Sequence, residues 1–169
     1  MTTTASTDTT TRTSLVFRVY IKASAQAVWD AITQPEWNAR YGYPGHSDYE
    51  LRPGGAFVVP ATDEMKGFGM PDVVVDGEIL ESDPPHRLVQ TWRFNFAPDQ
   101  VEEGYRTVTF EIVPDGDITR LTVTHDVTDA PIAAAMLSGD APLQEGGGGW
   151  AWILSGLKTL LETGEAIQC

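Results

Sequence analysis

The residues that could do chemistry in this chain are three histidines and a group of aromatic side chains. His46, His86 and His125 lie far apart in sequence, without the His and Cys spacings typical of a metal site. The single cysteine, Cys169, is the last residue, so a disulfide within the chain is excluded. We therefore predict that the protein holds neither a metal nor a cofactor.

His125 is the best candidate for a catalytic residue. It shares one face of a predicted strand, Ile118–Asp126, with Leu121 and Val123, and that face should meet the C-terminal helix. A neutral imidazole there can hydrogen-bond a ligand carbonyl or hydroxyl, or act as a general base near neutral pH. We favour the alternative, a buried histidine whose ring is satisfied by a neighbouring protein group.

An aromatic run on one strand indicates an apolar binding site. Predicted strand 87–96 places Gln90, Trp92, Phe94 and Phe96 on one face. Rings with few polar anchors are typical of a pocket for an apolar small molecule, and Gln90 is the best polar anchor. The predicted cavity residues are Trp37, Tyr41, Phe57, Phe68, Met70, Gln90, Trp92, Phe94, His125, Met136, Trp150, Leu154 and Leu157.

A helix at the C-terminal end should form the opposite wall of this cavity. Trp150, Leu154 and Leu157 recur at helical spacing, and Gly164 is suited to end the helix. We predict that the four glycines before it, 146–149, act as a hinge for the preceding loop. Trp152 lies off the apolar face, and we expect it to pack under segment 128–145 rather than mark a dimer contact.

The remaining elements predict an α+β domain. A helix over Ala25–Thr33, capped by Ser24, and a helical turn beginning at Pro35 separate the first strand from the others. Segments 61–72 and 128–145 read as loops, the second with a helical turn over 131–137. The predicted strands are 15–22, 46–51, Ala56–Pro60, 73–81, 87–96, 105–113 and Ile118–Asp126.

Composition restricts the partners of the protein. A net charge of −13, from 24 acidic and 11 basic residues, argues against nucleic acids and anionic membrane surfaces. No apolar run approaches the ~20 residues of a membrane span, so stable membrane insertion is not expected. We predict a cytoplasmic protein with a disordered tail at 1–13, one domain at 14–165 and a short tail at 166–169.

Short segments over almost the whole domain follow the order of a known family. They are 23–29 (ASAQAVW), 33–37 (TQPEW), 51–55 (LRPGG), 77–92 (GEILESDPPHRLVQTW), 119–126 (TRLTVTHD) and 149–164. With them the chain resembles the START-like (SRPBCC, helix-grip) superfamily, in the branch related to the activator of Hsp90 ATPase. The resemblance implies a helix-grip fold, in which a curved antiparallel sheet of six to seven strands wraps around a long C-terminal helix.

This superfamily hosts several functions, and three hypotheses follow. The first is binding of a hydrophobic or aromatic small molecule, such as a lipid, a polyketide or a similar natural product, for transport, sequestration or sensing. The second is a polyketide cyclase or aromatase without a cofactor, using His125 and Gln90. The third is a protein-interaction module similar to an Hsp90 co-chaperone. We rank the enzyme second because the chain lacks the dense polar pocket expected for it, and no paired carboxylates or nucleophile motif occur. We rank the co-chaperone last because that protein's activity also uses an additional N-terminal domain. A monomer and a homodimer both remain open.

Overall fold

Strands that alternate between inward and outward side chains form most of this protein, for which a computed structural model describes residues 11–167. The strands are β1 (Ser14–Ile21), β2 (Asp48–Tyr49), β3 (Ala56–Pro60), β4 (Val73–Asp83), β5 (Arg87–Phe94), β6 (Arg106–Asp115) and β7 (Ile118–Asp126). They form one curved antiparallel sheet in the order β1-β7-β6-β5-β4-β3-β2. The first strand therefore lies beside the last, and β5 and β6 lie near the middle of the sheet.

Helices occupy the connections and the end of the chain. They are α1 (Ala25–Thr33), α2 (Pro35–Asn38), α3 (Asp63–Gly67), α4 (Pro98–Glu103), α5 (Pro131–Ser138) and α6 (Gly149–Thr163), with a 3-10 turn at Leu143–Glu145. The predicted start of α1 is confirmed, because the Ser24 hydroxyl accepts a hydrogen bond from the Ala27 amide at 3.1 Å. No helix within residues 11–167 is both long enough and apolar enough to cross a membrane.

Helix α6 lies against the inner face of the sheet and closes the core. Its inward side chains Trp150, Leu154, Leu157 and Leu160 are buried, and each fully buried leucine contributes about 1.5–3 kcal/mol. The helix ends as predicted at Gly164, which has a φ of +82° and donates its amide to the Leu160 carbonyl at 2.8 Å. The predicted α+β helix-grip architecture is confirmed.

Several predicted boundaries were wrong. Segment 61–72, predicted as a loop, contains α3, whose N-cap Thr62 accepts a hydrogen bond from the Met65 amide at 3.2 Å. Helix α4 was not predicted, although Pro98 at its first position is a typical start signal. The strand predicted at 46–51 is reduced to β2. The helical turn predicted at 131–137, in contrast, is confirmed as α5, which extends one residue further.

Three of the four glycines at 146–149 are required for close packing. A Cβ at Gly149 would overlap the Leu137 carbonyl, and one at Gly147 would overlap Ala141. A Cβ at Gly148 would lie 2.5 Å from the Cβ of Trp152, so a side chain there is excluded as well. Among the four, a Cβ at Gly146 meets open space, and the predicted hinge motion stays a prediction.

The predicted tails fall largely outside the described residues. Residues 1–10 and 168–169, and with them Cys169, are not among those that the structure describes. Thr13, predicted as the end of the tail, donates its amide to the Thr128 hydroxyl at 2.9 Å and accepts from the Val127 amide at 2.9 Å. Thr13 is therefore held by two hydrogen bonds to the segment that follows β7.

Candidate functional site

A cavity of about 490 Å³ lies between the inner face of the sheet and helix α6. Strand β5 and helix α6 supply its two long walls. The loop at 41–47 and helix α3 border one side, and helices α4 and α5 border the other. The side chains of the sheet and of α6 do not fill the space between these two walls.

Aromatic rings form the centre of the wall. Trp92 of β5 faces Trp150 of α6, with ring centroids 5.6 Å apart. Phe94 contacts Trp92 edge to face at 6.0 Å and stacks with Phe96 at the same distance. Such pairs contribute about 0.5–1.5 kcal/mol beyond area burial, and they present a flat apolar surface to an occupant.

Tyrosine hydroxyl groups supply polar atoms along the cavity. Tyr41 donates to the Ala31 carbonyl at 2.9 Å, and burial raises its pKa far above the usual value. Burial also raises the pKa of Tyr49, while the nearby Gln90 side chain acts in the opposite direction. Both phenols are therefore neutral at physiological pH.

The side chain of Tyr43 fastens the loop at 41–47 to the start of α6. Its hydroxyl donates to the Gly146 carbonyl at 2.9 Å and accepts from the Gly149 amide at 2.8 Å. Nearby, the indole Nε1 of Trp152 donates to the Gly42 carbonyl at 3.0 Å. Trp152 thus bonds to the loop at 41–47, whereas the sequence had suggested packing under segment 128–145.

Helices α4 and α5 are joined at the opposite rim. The Glu103 carboxylate accepts hydrogen bonds from the Ile132 and Ala133 amides, at 2.7 and 2.9 Å, and so caps α5. Gln100 accepts from the Phe96 amide at 3.0 Å, and its Nε2 lies 3.5 Å from the Sδ of Met136. At this rim, the flexible Met136 side chain therefore lies where two helices are held together by hydrogen bonds from backbone amides.

The structure brings most of the predicted residues to the cavity wall and leaves others outside. Those that line it are Tyr41, Met70, Trp92, Phe94, Met136, Trp150, Leu154 and Leu157. Phe68 is 77% exposed, and Trp37 lies outside the wall with the Arg40 guanidinium 4.8 Å above its ring. Phe57, Gln90 and His125 are fully buried in the sheet's inner layer and do not line the cavity.

His125 is enclosed by tryptophans. Its Nδ1 accepts a hydrogen bond from the Trp150 indole at 3.1 Å, which places the ring proton on Nε2. Burial lowers the pKa of His125 to about 3, against a smaller opposite effect of Asp126. The imidazole is therefore neutral at physiological pH, and the favoured alternative of a protein-satisfied histidine holds for its Nδ1.

Sequence reasoning missed several residues of the wall. Tyr43, Tyr49, Gln100 and Ile153 line the cavity but were not predicted to do so. Ile153 had a usable signal, since it lies on the apolar face of α6 beside Leu154. The two tyrosines had none, because contacts distant in sequence fix their positions.

Solved structures share this fold. CalU16 from Micromonospora echinospora is 25% identical, with a TM-score of 0.61 over 88% of this chain and 74% of that one. DynU16, a protein of the dynemicin biosynthetic locus, is 25% identical, with a TM-score of 0.62 over 90% of this chain and 48% of that one. PFC0360w, an Hsp90 activator from Plasmodium falciparum, is 23% identical, with a TM-score of 0.52 over 67% and 71%, and shows the fold alone.

A family model that matches most of the chain shows the family to which the protein belongs. No curated protein sequence matches the chain significantly. A family model described as "Activator of Hsp90 ATPase homolog 1-like protein" matches residues 22–162, most of the chain. Within residues 11–167, no three His, Cys, Asp or Glu side chains lie close enough together to hold a metal ion. By its family match and its helix-grip fold, the chain belongs to the activator of Hsp90 ATPase homolog 1-like family.

Proposed function

We propose that this protein binds a hydrophobic or aromatic small molecule, such as a lipid, a polyketide or a similar natural product, in the cavity beneath α6. The observation that carries the proposal is the cavity itself, about 490 Å³ in volume, with Trp92, Phe94 and Trp150 at its centre. Apolar cavities of ~300–1,000 Å³ with a few polar groups are typical of small-molecule sites. Binding would serve transport, sequestration or sensing in the cytoplasm.

One relative supports a natural product as the ligand. DynU16 belongs to a biosynthetic locus and aligns with 90% of this chain. The chain covers 48% of that protein, so the likeness concerns its helix-grip part. A biosynthetic product or intermediate with fused rings would match the flat aromatic walls described above.

The expected affinity can be estimated from ligand size. Drug-sized ligands gain about 0.3 kcal/mol per non-hydrogen atom, so one of ~20 such atoms would gain about 6 kcal/mol. That corresponds to a dissociation constant of tens of micromolar. A thermal-shift screen with lipids, flavonoids and polyketides at ~200 µM should therefore raise the melting temperature for some compounds.

A matched pair of variants tests whether the ligand binds in the cavity beneath α6. Leu154→Trp puts a larger side chain into the cavity, whereas Ser155→Trp puts the same side chain on the exposed face of α6. We expect Leu154→Trp to weaken binding of the hits by at least tenfold in calorimetric titration, and Ser155→Trp to leave it unchanged. No stabilising compound in the screen, or equal binding by both variants, would contradict the proposal.

Neither alternative function is favoured by a specific observation. A cyclase that uses His125 as a base would need that ring at the cavity surface, but it lies behind Trp92 and Trp150. A base with a pKa near 3 is also weak at neutral pH. The co-chaperone alternative depends on the family description and on a fold shared with an Hsp90 activator.

A further inference from the structure

One polar row crosses the apolar inner face of the sheet. Gln90 of β5 pairs with Val108 of β6, and Val108 pairs with His125 of β7. Gln90 is 0% exposed and His125 is 1% exposed. The rows on one side of them are apolar, with Leu88 and Phe110 in equivalent positions. Two polar side chains in such a layer need a reason, because apolar residues of similar size would pack there at lower cost.

Polar atoms of this row have no hydrogen-bond partner among the described protein atoms. They are Nε2 and Oε1 of Gln90, Nε2 of His125 and Nε1 of the adjacent Trp92. Natural proteins rarely leave several buried polar atoms unpaired in one place. The Trp92 and His125 rings lie 5.8 Å apart, and Trp92 follows Gln90 on the same face of β5, so these atoms form one cluster.

The cluster adjoins the cavity. Trp92 itself lines the cavity wall and is only half-buried. Tyr49 lines it as well, and its hydroxyl lies close enough to the Gln90 side chain to influence the Tyr49 pKa. A turn of the Trp92 indole would therefore bring the Gln90 amide into contact with an occupant of the cavity.

The chemistry of the cluster defines what it would bind. N–H donors outnumber acceptors there, because Gln90, Trp92 and His125 each offer an unpaired N–H and Gln90 alone offers an unpaired oxygen. Such a set fits an acceptor, and a carbonyl oxygen is the simplest. No lysine or arginine is among the described residues of the cavity wall, and the chain carries a net charge of −13, so an anion is disfavoured.

We propose that Gln90 and Trp92, with His125 behind them, form a polar subsite that takes the carbonyl oxygen of a neutral, fused-ring aromatic ketone. This inference depends on the proposed function, since the subsite opens only onto an occupied cavity. The unpaired Gln90 amide destabilises the free protein. This destabilisation is relieved when the ligand carbonyl accepts a hydrogen bond from the Gln90 N–H. The aromatic wall holds the rings, and the subsite selects ketones over hydrocarbons of the same shape.

The test uses fluorenone and fluorene, which differ in the carbonyl group alone and have nearly the same shape. We expect the wild-type protein to bind fluorenone about tenfold more tightly, the effect of one hydrogen bond to a buried donor. Gln90→Met removes the amide at similar volume, and it should bring this ratio close to one by weakening the binding of fluorenone more than that of fluorene. It should also raise the melting temperature of the free protein by about 3 °C.

A second glutamine provides the matched control. Gln100 also lines the cavity, but both of its amide atoms have partners. Gln100→Met should keep the preference for fluorenone and lower the melting temperature. If the wild-type protein binds fluorenone and fluorene with equal affinity, the subsite is contradicted, but the proposed function still holds. A preference that survives Gln90→Met, or a lower melting temperature for that variant, also overturns the subsite. If neither compound binds while another compound of the screen does, the subsite for a fused-ring ketone is contradicted and the proposed function stands. If no compound of the screen binds either, both proposals are contradicted.

Discussion

Replacing Gly149 by alanine tests how α6 is joined to the rest of the fold. Gly149 begins α6 with a φ of +56°, a left-handed conformation that costs other residues about 1–2 kcal/mol. A Cβ there would also overlap the Leu137 carbonyl and lie 2.9 Å from the Gly139 amide nitrogen. Both are backbone atoms at the end of α5, so relief requires the two helices to separate. Overpacking of this kind adds about 1–3 kcal/mol, for a total of about 2–5 kcal/mol.

Gly146 provides the control that separates strain from packing. Its φ of +75° carries a similar conformational cost, but a Cβ there would meet nothing within 4 Å. Urea denaturation of both variants gives their free energies of unfolding by linear extrapolation. We expect Gly149→Ala to lose at least about 1 kcal/mol more than Gly146→Ala. Equal losses would show that the α5–α6 contact is looser than the structure describes and would refute the packing argument.

Three further predictions concern charged and titrating groups. Burial raises the pKa of Asp76, but hydrogen bonds from Arg93 and its neighbours outweigh burial and lower this pKa overall. Asp76→Asn should therefore lower the free energy of unfolding by about 1 kcal/mol at pH 7. This cost should begin to shrink as the pH falls below about 4, the ordinary pKa of an aspartate, and should be lost once the pH is below the lowered pKa of Asp76. A cost that is constant with pH would refute the prediction. Burial lowers the pKa of His125 to about 3, so between pH 7 and 5 this ring takes up a proton in the unfolded chain but not in the folded one. The free energy of unfolding of the wild type should therefore fall by about 2 kcal/mol over this range through His125. His125→Gln can still accept a hydrogen bond from Trp150, and it should remove this pH dependence when the free energy of unfolding is measured by denaturation at both pH values. The same pH dependence in the variant and the wild type would contradict the prediction. Glu103→Gln should weaken the cap of α5 by about 1 kcal/mol and speed amide exchange there, whereas unchanged exchange would show that the cap contributes little.

The long elements of this fold could be predicted because their residue patterns are unambiguous. Helix α6 has apolar residues at helical spacing over 15 residues, and β7 alternates over 9. Helices α3 and α4 have 5 and 6 residues, too few for a helical period to stand out. Their start signals, Thr62 and Pro98, were present in the sequence, but such residues also begin ordinary turns.

The candidate site was predictable as far as strand and helix faces determine it. Trp92, Trp150 and Leu154 line the cavity because each lies on the inner face of a regular element. Phe57 lies on such a face too, yet its neighbours cover it completely, and sequence periodicity carries no information about depth. Phe68 directly follows the short helix α3, whose orientation depends on tertiary contacts, and its side chain is largely exposed to solvent.

Tyr43 shows the limit of sequence reasoning most clearly. Its role depends on two hydrogen bonds to glycines more than 100 positions later in the chain. Its neighbourhood in sequence is a turn rich in glycine and aromatic residues, which predicts a loop and no particular partner. Such residues become visible only once the fold has brought the segments together.

The response of the tryptophan indole N–H signals to a ligand tests the central claim most directly. Trp92 and Trp150 line the cavity, whereas Trp29 is buried in the core and Trp37 lies outside the cavity wall. In a titration of isotope-labelled protein with fluorenone, we predict that the Trp92 and Trp150 signals shift together with one dissociation constant, while those of Trp29 and Trp37 stay in place. Shifts confined to Trp29 or Trp37, or no shift at Trp92 and Trp150 when other signals respond, would contradict a binding site between the sheet and α6.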